Sequence, residues 1–324
     1  MGTLLLLILT VCTVDPYEVY HRAWFYTPPY RSETQSYSNA GIARSYEYDS
    51  VIIGSSVTEN CRPSVYEAAL GGTFVKLCMN GGMAADHARM LGLAFRTHSV
   101  RQVVYGIDLF AFTPYYTNQK MKTPDYLYDA KLVNDVSYWF NRDVLMTAVP
   151  DALAHLGRTS TAVLKDRMYA WDPPQMPDPK SLYREPLRDM PPQKEAVKER
   201  TADNIMHNLI PFIEAHPETQ FYLFFPPYAS TYWRQRAQEG EFESDMACRS
   251  QLVEATIGYP NVHWTDFATA EWTYDLSHYY DLRHYLSGIN DKMAFELSQG
   301  KYGIENTETE SRLEDQLRSG LFQD

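Results

Sequence analysis

The sequence predicts an α/β domain built as a three-layer α/β/α sandwich around a parallel sheet of about five strands. Short apolar, β-branched runs recur along the chain and are typical of strands buried on both faces. Segments with helical spacing of apolar residues alternate with them, and the first three strands follow one another through short loops. A strand-helix series of this kind predicts a parallel, doubly wound sheet. The 324 residues suffice for one large domain, and no internal repeat indicates a second.

The first predicted strand, residues 48–53, ends at Gly54 and leads through a serine pair toward a helix. Such a turn would place Ser56 at the carboxyl edge of the sheet, where ligands bind in open α/β folds. A nearby helix N-terminus would favour developing negative charge. Ser56 followed by Glu59 is also a capping box, which needs no chemistry. On this stretch alone both interpretations remain open.

The remaining strands and helices are predicted from the spacing of apolar residues and from the Gly and Pro residues that end them. A double glycine at 71–72 ends the first helix, and Pro226 with Pro227 closes the fourth strand. Residues 171–192 are dense in proline and charge, which indicates a long surface excursion. Helices are predicted at 63–70, 84–96, 134–156, 194–215, 232–257 and 287–297, and the later strands at 73–77, 101–106, 221–225 and 262–264.

The two ends of the chain differ from the domain, which we place at 48–300. Residues 4–14 are almost wholly apolar, but a membrane-spanning helix needs about 20 such residues. No basic region precedes the run and no cleavage site follows it. We interpret 1–14 as the outer part of a signal anchor, with a short buried helix or strand as the alternative. Residues 15–47 are predicted to be a surface connector, and 301–324 a frayed polar tail.

Composition excludes several classes of function. A net charge of -12 and an isoelectric point near 5.2 argue against a nucleic-acid partner, whose phosphates need a basic face. The four cysteines lack zinc-type spacing and are too few for a disulfide scaffold. No metal is therefore predicted. A Cys61–Cys78 bridge and buried free thiols both remain open.

Two Asp-x-x-His units stand in tandem after the last predicted strand, Asp275/His278 and Asp281/His284. Serine hydrolysis needs an imidazole that accepts the hydroxyl proton and a carboxylate that orients the imidazole. A loop after the last parallel strand lies on the same edge as the serine turn. The two features together favour catalysis over chance occurrence of either one.

With these motifs the chain resembles the SGNH, or GDSL-type, hydrolases, whose fold is flavodoxin-like. In that family the nucleophile lies in a Gly-Asp-Ser turn after the first strand, which here reads Gly-Ser-Ser and implies Ser56. His284 matches the family histidine better than His278, because a helix follows it almost directly, and Asp281 is then the acid. The resemblance covers about residues 48–298, and Asp275/His278 remains the alternative pair.

The resemblance also implies an oxyanion hole, with one departure. The family uses the nucleophile's own N–H, a glycine N–H after strand two and an asparagine side chain after strand three. Gly82 matches the glycine, with Gly81 as the alternative, but Asp108 stands where the asparagine should be. An ionised carboxylate cannot donate a hydrogen bond. Asp108 is therefore protonated, or holds its loop by accepting backbone N–H bonds, which is our preferred interpretation, or another donor such as Asn80 replaces it.

Within the family the chain is most similar to membrane-anchored, extracytoplasmic bacterial proteins. It is distantly similar to the D-alanyl transfer protein of teichoic acid modification and to polysaccharide O-acetyltransferases. This placement implies an esterase or O-acyltransferase that acts on acylated carbohydrate or cell-envelope substrates, without a cofactor, and with a membrane acyltransferase as a candidate partner. The motifs behind it are Gly-Ser-Ser-Val-Thr-Glu-Asn at 54–60, Asn-Gly-Gly at 80–82, residues 105–112 and Tyr-Tyr-Asp at 279–281.

Two other classes of function compete with this one. The missing asparagine donor favours a binding or accessory protein whose catalytic site has decayed. A nucleotide-binding flavodoxin-like module is disfavoured, because the first turn lacks a glycine-rich phosphate cradle.

Overall fold

A computed structural model describes residues 2–113, 121–129, 131–157, 160–171, 173, 175–196 and 198–323. Its centre is a mostly parallel six-stranded sheet in the order β2-β1-β3-β4-β5-β6. The first five strands are parallel, and β6 pairs with β5 in the antiparallel sense. The predicted α/β class is confirmed, with one strand more than expected. The strands are β1 Ser50–Gly54, β2 Phe74–Cys78, β3 Gln102–Gly106, β4 Gln220–Phe225, β5 Val262–Asp266 and β6 Gly303–Ile304.

Every residue of β1, β2 and β3 is buried, as continuous apolar runs in parallel sheets require. In register, Val51 of the central strand lies between Val75 of β2 and Val103 of β3. Helices cover both faces of the sheet. They are α1 Gly2–Val14, α2 Gln35–Ser45, α3 Pro63–Leu70, α4 Ala84–Thr97, α5 Val136–Trp139, α6 Val149–Ala154, α7 Thr161–Arg167, α8 Pro179–Leu182, α9 Lys198–Asn208, α10 Ile210–Ala215, α11 Ser230–Gln238, α12 Phe242–Thr256, α13 Ser287–Ser298 and α14 Thr307–Gly320.

The strand order determines which helices share a face. The connection through α3 runs from β1 outward to β2, whereas the connection through α4 returns past β1 to β3. Because both crossovers are right-handed, α3 and α4 cover opposite faces. Helix α3 packs against α13, while α4 packs against α9, which in turn contacts α12.

Three predicted helices are interrupted. The segment 134–156 contains α5, a π-helical stretch at Val144–Ala148 and α6 rather than one helix. The segment 194–215 divides into α9 and α10 at Leu209, where Pro211 starts the second helix without an N–H to continue the first. Gly240, at φ 76°, separates α11 from α12. Apart from 172 and 174, which lie outside the described residues, the excursion 171–192 is irregular except for α8.

The predicted surface connector contains a buried helix, so this expectation is corrected. Eight of the eleven residues of α2 are buried, and the helix packs against α4 and β2. Its small side chains allow this close approach: a Cβ on Gly41 would lie 1.7 Å from the carbonyl oxygen of Tyr17. A helix that packs through Ser, Ala and Gly has no strong apolar stripe. The spacing of apolar residues therefore did not predict this helix.

The apolar N-terminal run forms α1, which packs against α5 and α6. Its last turn buries Val11 and Val14, whereas Leu4, Leu5 and Leu6 are exposed. Among the described helices, none is both long and apolar enough to cross a bilayer. Anchoring through this segment remains a prediction.

The four cysteines are all free thiols, so of the two alternatives for Cys61 and Cys78 the structure has the unbridged one. Cys61 donates to the side-chain oxygen of Asn290 at 3.0 Å, which links the start of α3 to α13.

The predicted frayed tail is wrong, because residues 303–320 form β6 and α14. Arg249 of α12 is fully buried and pairs with Asp266 at the end of β5 (3.0 Å) and with Glu310 of α14. Leu317 and Leu321 are buried as well. The charged composition of this segment therefore conceals a docked helix whose acidic residue neutralises a buried cation.

Candidate active site

The candidate site lies at the carboxyl edge of the sheet, between β1 and β3. From β1 the chain crosses to one side of the sheet, and from β3 it crosses to the other. Ligands bind at such a switch point in doubly wound folds, because the two loops diverge and leave a crevice. Ser56 follows β1 and Asp108 follows β3, so both sequence-predicted residues reach this crevice.

The turn after β1 depends on Gly54, which has φ 151°. A Cβ there would lie 2.8 Å from Cγ2 of Thr58 and 3.0 Å from the carbonyl oxygen of Gly106. Only glycine fits this conformation and space. The chain then enters a short 3₁₀ turn at Ser56–Thr58, and the next α-helix, α3, begins later, at Pro63.

The structure does not contain the capping box. No side-chain cap forms at this turn. The carboxylate of Glu59 instead accepts a hydrogen bond from the side chain of Gln35 at 2.7 Å. Glu59 is buried beneath the turn, and burial raises its pKa to about 7. The hydroxyl of Ser56 therefore does not cap the turn and can hydrogen-bond to another side chain.

That side chain is His284. The Oγ of Ser56 lies 2.7 Å from Nε2 of His284, and Nδ1 of the same ring lies 2.8 Å from Oδ2 of Asp281. The other carboxylate oxygen, Oδ1, accepts the backbone N–H groups of Arg283 and His284, each at 2.8 Å. The Asp-x-x-His loop thus folds back on itself, as the spacing predicted. Residues 228 positions apart form a continuous Ser-His-Asp chain of hydrogen bonds.

The electrostatics of Asp281 suit an ionised partner for an imidazole. Burial alone would raise its pKa, but the hydrogen bond and charge of His284 and the two backbone N–H bonds lower it to about 2. The carboxylate is therefore charged throughout the neutral range. In this state it accepts the Nδ1 proton, which leaves Nε2 free to accept from a serine hydroxyl.

The alternative pair, Asp275 and His278, is not assembled in this way. Oδ2 of Asp275 lies 3.7 Å from Nε2 of His278, beyond hydrogen-bond distance. Asp275 instead caps a turn by accepting the N–H and the hydroxyl of Ser277, at 3.0 and 2.6 Å. Neither residue lines the cleft around Ser56.

Trp171 is a site residue that sequence analysis missed. Its ring packs edge-on against the ring of His284, with centroids 5.6 Å apart and an interplanar angle of 79°. The side chain of Asn60 accepts the backbone N–H of Trp171 at 2.8 Å, which ties the excursion to the loop after β1. Nothing in its sequence context distinguishes this tryptophan, since the contact joins an irregular loop to a distant turn.

Ser56 opens onto a cleft of about 100 Å³ that Asn80, Gly81, Asp108 and His284 also line. The predicted role of Gly82 is corrected: its N–H donates to the carbonyl of Met79 at 2.8 Å, and it does not line the cleft. Within the described part of the chain, the N–H groups of Ser56 and Gly81 have no hydrogen-bond partner. Gly81 is therefore the better candidate donor to a bound oxyanion.

Our preferred interpretation of Asp108 is also corrected. Among the described residues no backbone N–H donates to its side chain; Oδ1 accepts the hydroxyl of Tyr228. Oδ2 is buried and forms no hydrogen bond of normal geometry among the described residues, although the Ser55 side chain lies close to the carboxyl group. Asp108 is 1% exposed, and burial raises its pKa above the usual range for aspartate. These features favour the protonated alternative, in which a neutral carboxyl at the cleft wall can donate a hydrogen bond.

The residues of the site form no metal centre. In the part of the chain that the structure describes, no three His, Cys, Asp or Glu side chains converge to hold a metal ion. The arrangement can activate a hydroxyl, and it offers N–H groups to a developing negative charge nearby.

Comparison with known proteins identifies no family. No family model matches the chain, and neither does any curated protein. Among solved structures the chain is similar to a protein from Streptococcus pneumonia that is described as a candidate platelet activating factor. The two are 11% identical with a TM-score of 0.42, over 83% of this chain and 90% of the other. A likeness this distant supports no argument about function. The function is therefore inferred from the geometry of the site.

Proposed function

We propose that the protein is a serine esterase or O-acyltransferase of the SGNH type, with Ser56 as nucleophile, His284 as general base and Asp281 as the orienting acid. The observation that carries the proposal is the chain of two hydrogen bonds, 2.7 and 2.8 Å long, from Ser56 through His284 to Asp281. A hydroxyl is a weak nucleophile until a base takes its proton, and this geometry supplies the base and its orienter.

In the first half-reaction, Oγ of Ser56 attacks the carbonyl carbon of a bound ester while Nε2 of His284 takes the hydroxyl proton. Negative charge develops on the former carbonyl oxygen, which the N–H groups of Ser56 and Gly81 are placed to stabilise. The tetrahedral intermediate then expels the alcohol, which takes the proton from His284. The acyl group remains on Ser56 as an ester.

In the second half-reaction, His284 removes a proton from an acceptor hydroxyl, which attacks the carbonyl carbon of the acyl-enzyme. The tetrahedral intermediate then breaks its bond to Oγ of Ser56, which takes the proton back from His284. Water as acceptor makes the protein an esterase, and a sugar hydroxyl makes it an O-acyltransferase. The family resemblance supports acylated carbohydrate or cell-envelope substrates outside the cytoplasm. It also supports anchoring through the N-terminal apolar segment and partnership with a membrane acyltransferase.

Labelling with a fluorophosphonate probe tests the nucleophile directly, because such probes react with activated serines. We expect the wild type to be labelled, and Ser56→Ala and His284→Ala to lose the label. His278→Ala is the matched control and should keep it. Each variant is checked for folding by circular dichroism, so that lost labelling reports chemistry. Labelling that persists in Ser56→Ala would assign the reactive serine elsewhere and overturn the proposal.

A second candidate function is a non-catalytic accessory protein for a membrane acyltransferase. The observation that favours it is that an aspartate, Asp108, stands where the family has its asparagine donor, and an aspartate repels an oxyanion whenever it is ionised. A folded wild type that takes no label at any pH would support this function instead.

Asp108→Asn distinguishes a working oxyanion hole from a decayed one. A protonated Asp108 donates a hydrogen bond, and this contribution is lost as the pH rises through its raised pKa. Asparagine donates at every pH. We therefore expect the ratio of kcat for Asp108→Asn to kcat for wild type to rise with pH, from near one to on the order of 100, the usual value of one oxyanion donor. The measurement is the pH profile of 4-nitrophenyl acetate hydrolysis.

Asp108→Ala is the control, since it removes the donor at every pH and should be slow throughout. A ratio for Asp108→Asn that stays near one across the whole pH range, together with an Asp108→Ala variant as fast as the wild type, would show that the side chain at this position does not contact the oxyanion.

A further inference from the structure

A second, larger cleft adjoins the candidate site. Its volume is about 460 Å³, within the range of small-molecule sites, and its lining includes Asp281 and Arg283. Arg283 also lines the cleft around Ser56. The two clefts therefore meet at the loop that carries the Asp-x-x-His motif, and a molecule that presents an ester to Ser56 can extend into the larger cleft.

Three arginines line this cleft, and one of them is neutralised by the protein. Arg236 pairs with Asp245 through two hydrogen bonds of 2.6 and 3.0 Å and with Glu239 at 3.0 Å. The guanidinium groups of Arg184 and Arg283 have no carboxylate partner among the described residues. Two guanidinium groups that lack a carboxylate partner among the described residues therefore line the cleft, together with the carboxylates of Asp281 and Glu239.

Arg184 is held in place by neutral groups. Its guanidinium donates to the carbonyls of Ser181 and Tyr183, at 2.9 and 2.8 Å. Its own carbonyl accepts a hydrogen bond of 2.6 Å from Arg234, a side chain that is only 5% exposed in relative terms. A cation positioned this firmly loses little freedom when it binds an anion, which strengthens recognition.

We propose that this cleft is a subsite for an anionic group of the substrate, bound by Arg184 and Arg283. A guanidinium matches the planar, bidentate geometry of a carboxylate or a phosphate. The inference rests on the proposed function and narrows it: the alcohol part of the ester is an acidic sugar unit, with a carboxylate or a phosphate beside the acylated hydroxyl. The two carboxylates that line the cleft are each engaged by the protein, Asp281 by His284 and Glu239 by Arg236 and Gln235.

Binding without turnover tests the subsite separately from the chemistry. In the Ser56→Ala background, calorimetry with glucuronate and with glucose 6-phosphate should detect binding, whereas glucose should not bind. Adding Arg184→Gln should weaken the binding of the preferred acid at least about tenfold. Whichever acid binds more tightly identifies the anion as carboxylate or phosphate. Failure of both acids to bind overturns the subsite, whatever the fluorophosphonate experiment shows.

Turnover then links the subsite to the ester chemistry. Monoacetates of methyl glucuronide and of methyl glucoside differ by one carboxylate, and a phosphorylated glucoside monoacetate tests the phosphate. The wild type should prefer the better anion by about tenfold or more in kcat/KM. Arg283→Gln and Arg184→Gln should reduce the preference mainly through KM. Arg184→Lys keeps the positive charge but loses the planar guanidinium that binds an anion through two hydrogen bonds. It should therefore retain part of the preference for the anionic substrate.

Arg312→Gln is the matched control, since it removes an exposed arginine on α14 that lies outside the cleft lining. It should leave the preference unchanged. Equal reduction by Arg312→Gln would reveal an effect of net charge alone and overturn the assignment. Binding of an acid in a protein that turns over no ester would instead retain the subsite and reject the esterase.

Discussion

Asp281→Asn is expected to lower kcat for ester hydrolysis by about 10⁴-fold, as the same change of the orienting aspartate does in a serine protease. The asparagine amide can donate to Nδ1 of His284 and thereby favour the tautomer that carries its proton on Nε2. That nitrogen would then be unable to accept from Ser56, although the geometry stays intact. The measurement is kcat with 4-nitrophenyl acetate at pH 7.5, with circular dichroism as the folding check.

Asp275→Asn is the control for this prediction, because it makes the same change in the first of the two tandem motifs. Asp275 caps a turn at the surface, so kcat should change by no more than about twofold. Similar losses in the two variants would mean that His284 does not depend on Asp281, and the assignment of the acid would have to be withdrawn.

Arg249→Ala is expected to reduce the free energy of unfolding by about 3–5 kcal/mol, because it leaves Asp266 and Glu310 buried without their cation. Helix α14 should detach first, since Glu310 is its buried charged residue. Urea denaturation followed by circular dichroism measures the loss, and limited proteolysis reports whether the C-terminal helix has become accessible.

Arg318→Ala provides the comparison, because Arg318 joins the same two helices through Glu243 at a partly exposed position. A pair of this kind contributes about 0–1 kcal/mol. If Arg249→Ala cost no more than Arg318→Ala, the buried Arg249 cluster would not be what holds α14 in place.

The Ser-His-Asp arrangement illustrates how far sequence reasoning reaches. Gly54 predicts a sharp turn because no other residue tolerates its backbone angle and surroundings, and Asp281 stands three residues before His284, where a loop can return to it. Both inferences concern local geometry, which the order of residues controls. Parallel strands then bring the two loops to one edge of the sheet.

The predictions that were wrong depend on the path that the folded chain takes, which no short sequence pattern specifies. Gly82 and Gly81 are equivalent by spacing, and only the hydrogen bond to Met79 removes the first from the cleft. The charged composition of residues 301–324 is typical of a solvated tail. The segment is docked because Glu310 pairs with Arg249, a buried residue more than 50 positions earlier. Trp171 approaches His284 because an irregular excursion returns to the sheet edge, and no periodicity encodes such a path.

The sequence by itself determined the α/β class, the five parallel strands and the residues of the hydrogen-bonded Ser-His-Asp chain, because burial patterns and short spacings act over a few positions. The tertiary structure decided whether Ser56 caps a turn or meets a histidine, which glycine faces the cleft, and how Asp108 is surrounded. It also placed Arg184 and Arg283 in one cleft. The choice of glycine depends on the path of the turn at residues 79–82. The others depend on groups that lie far apart in the chain, whose distances and burial only the packed fold determines.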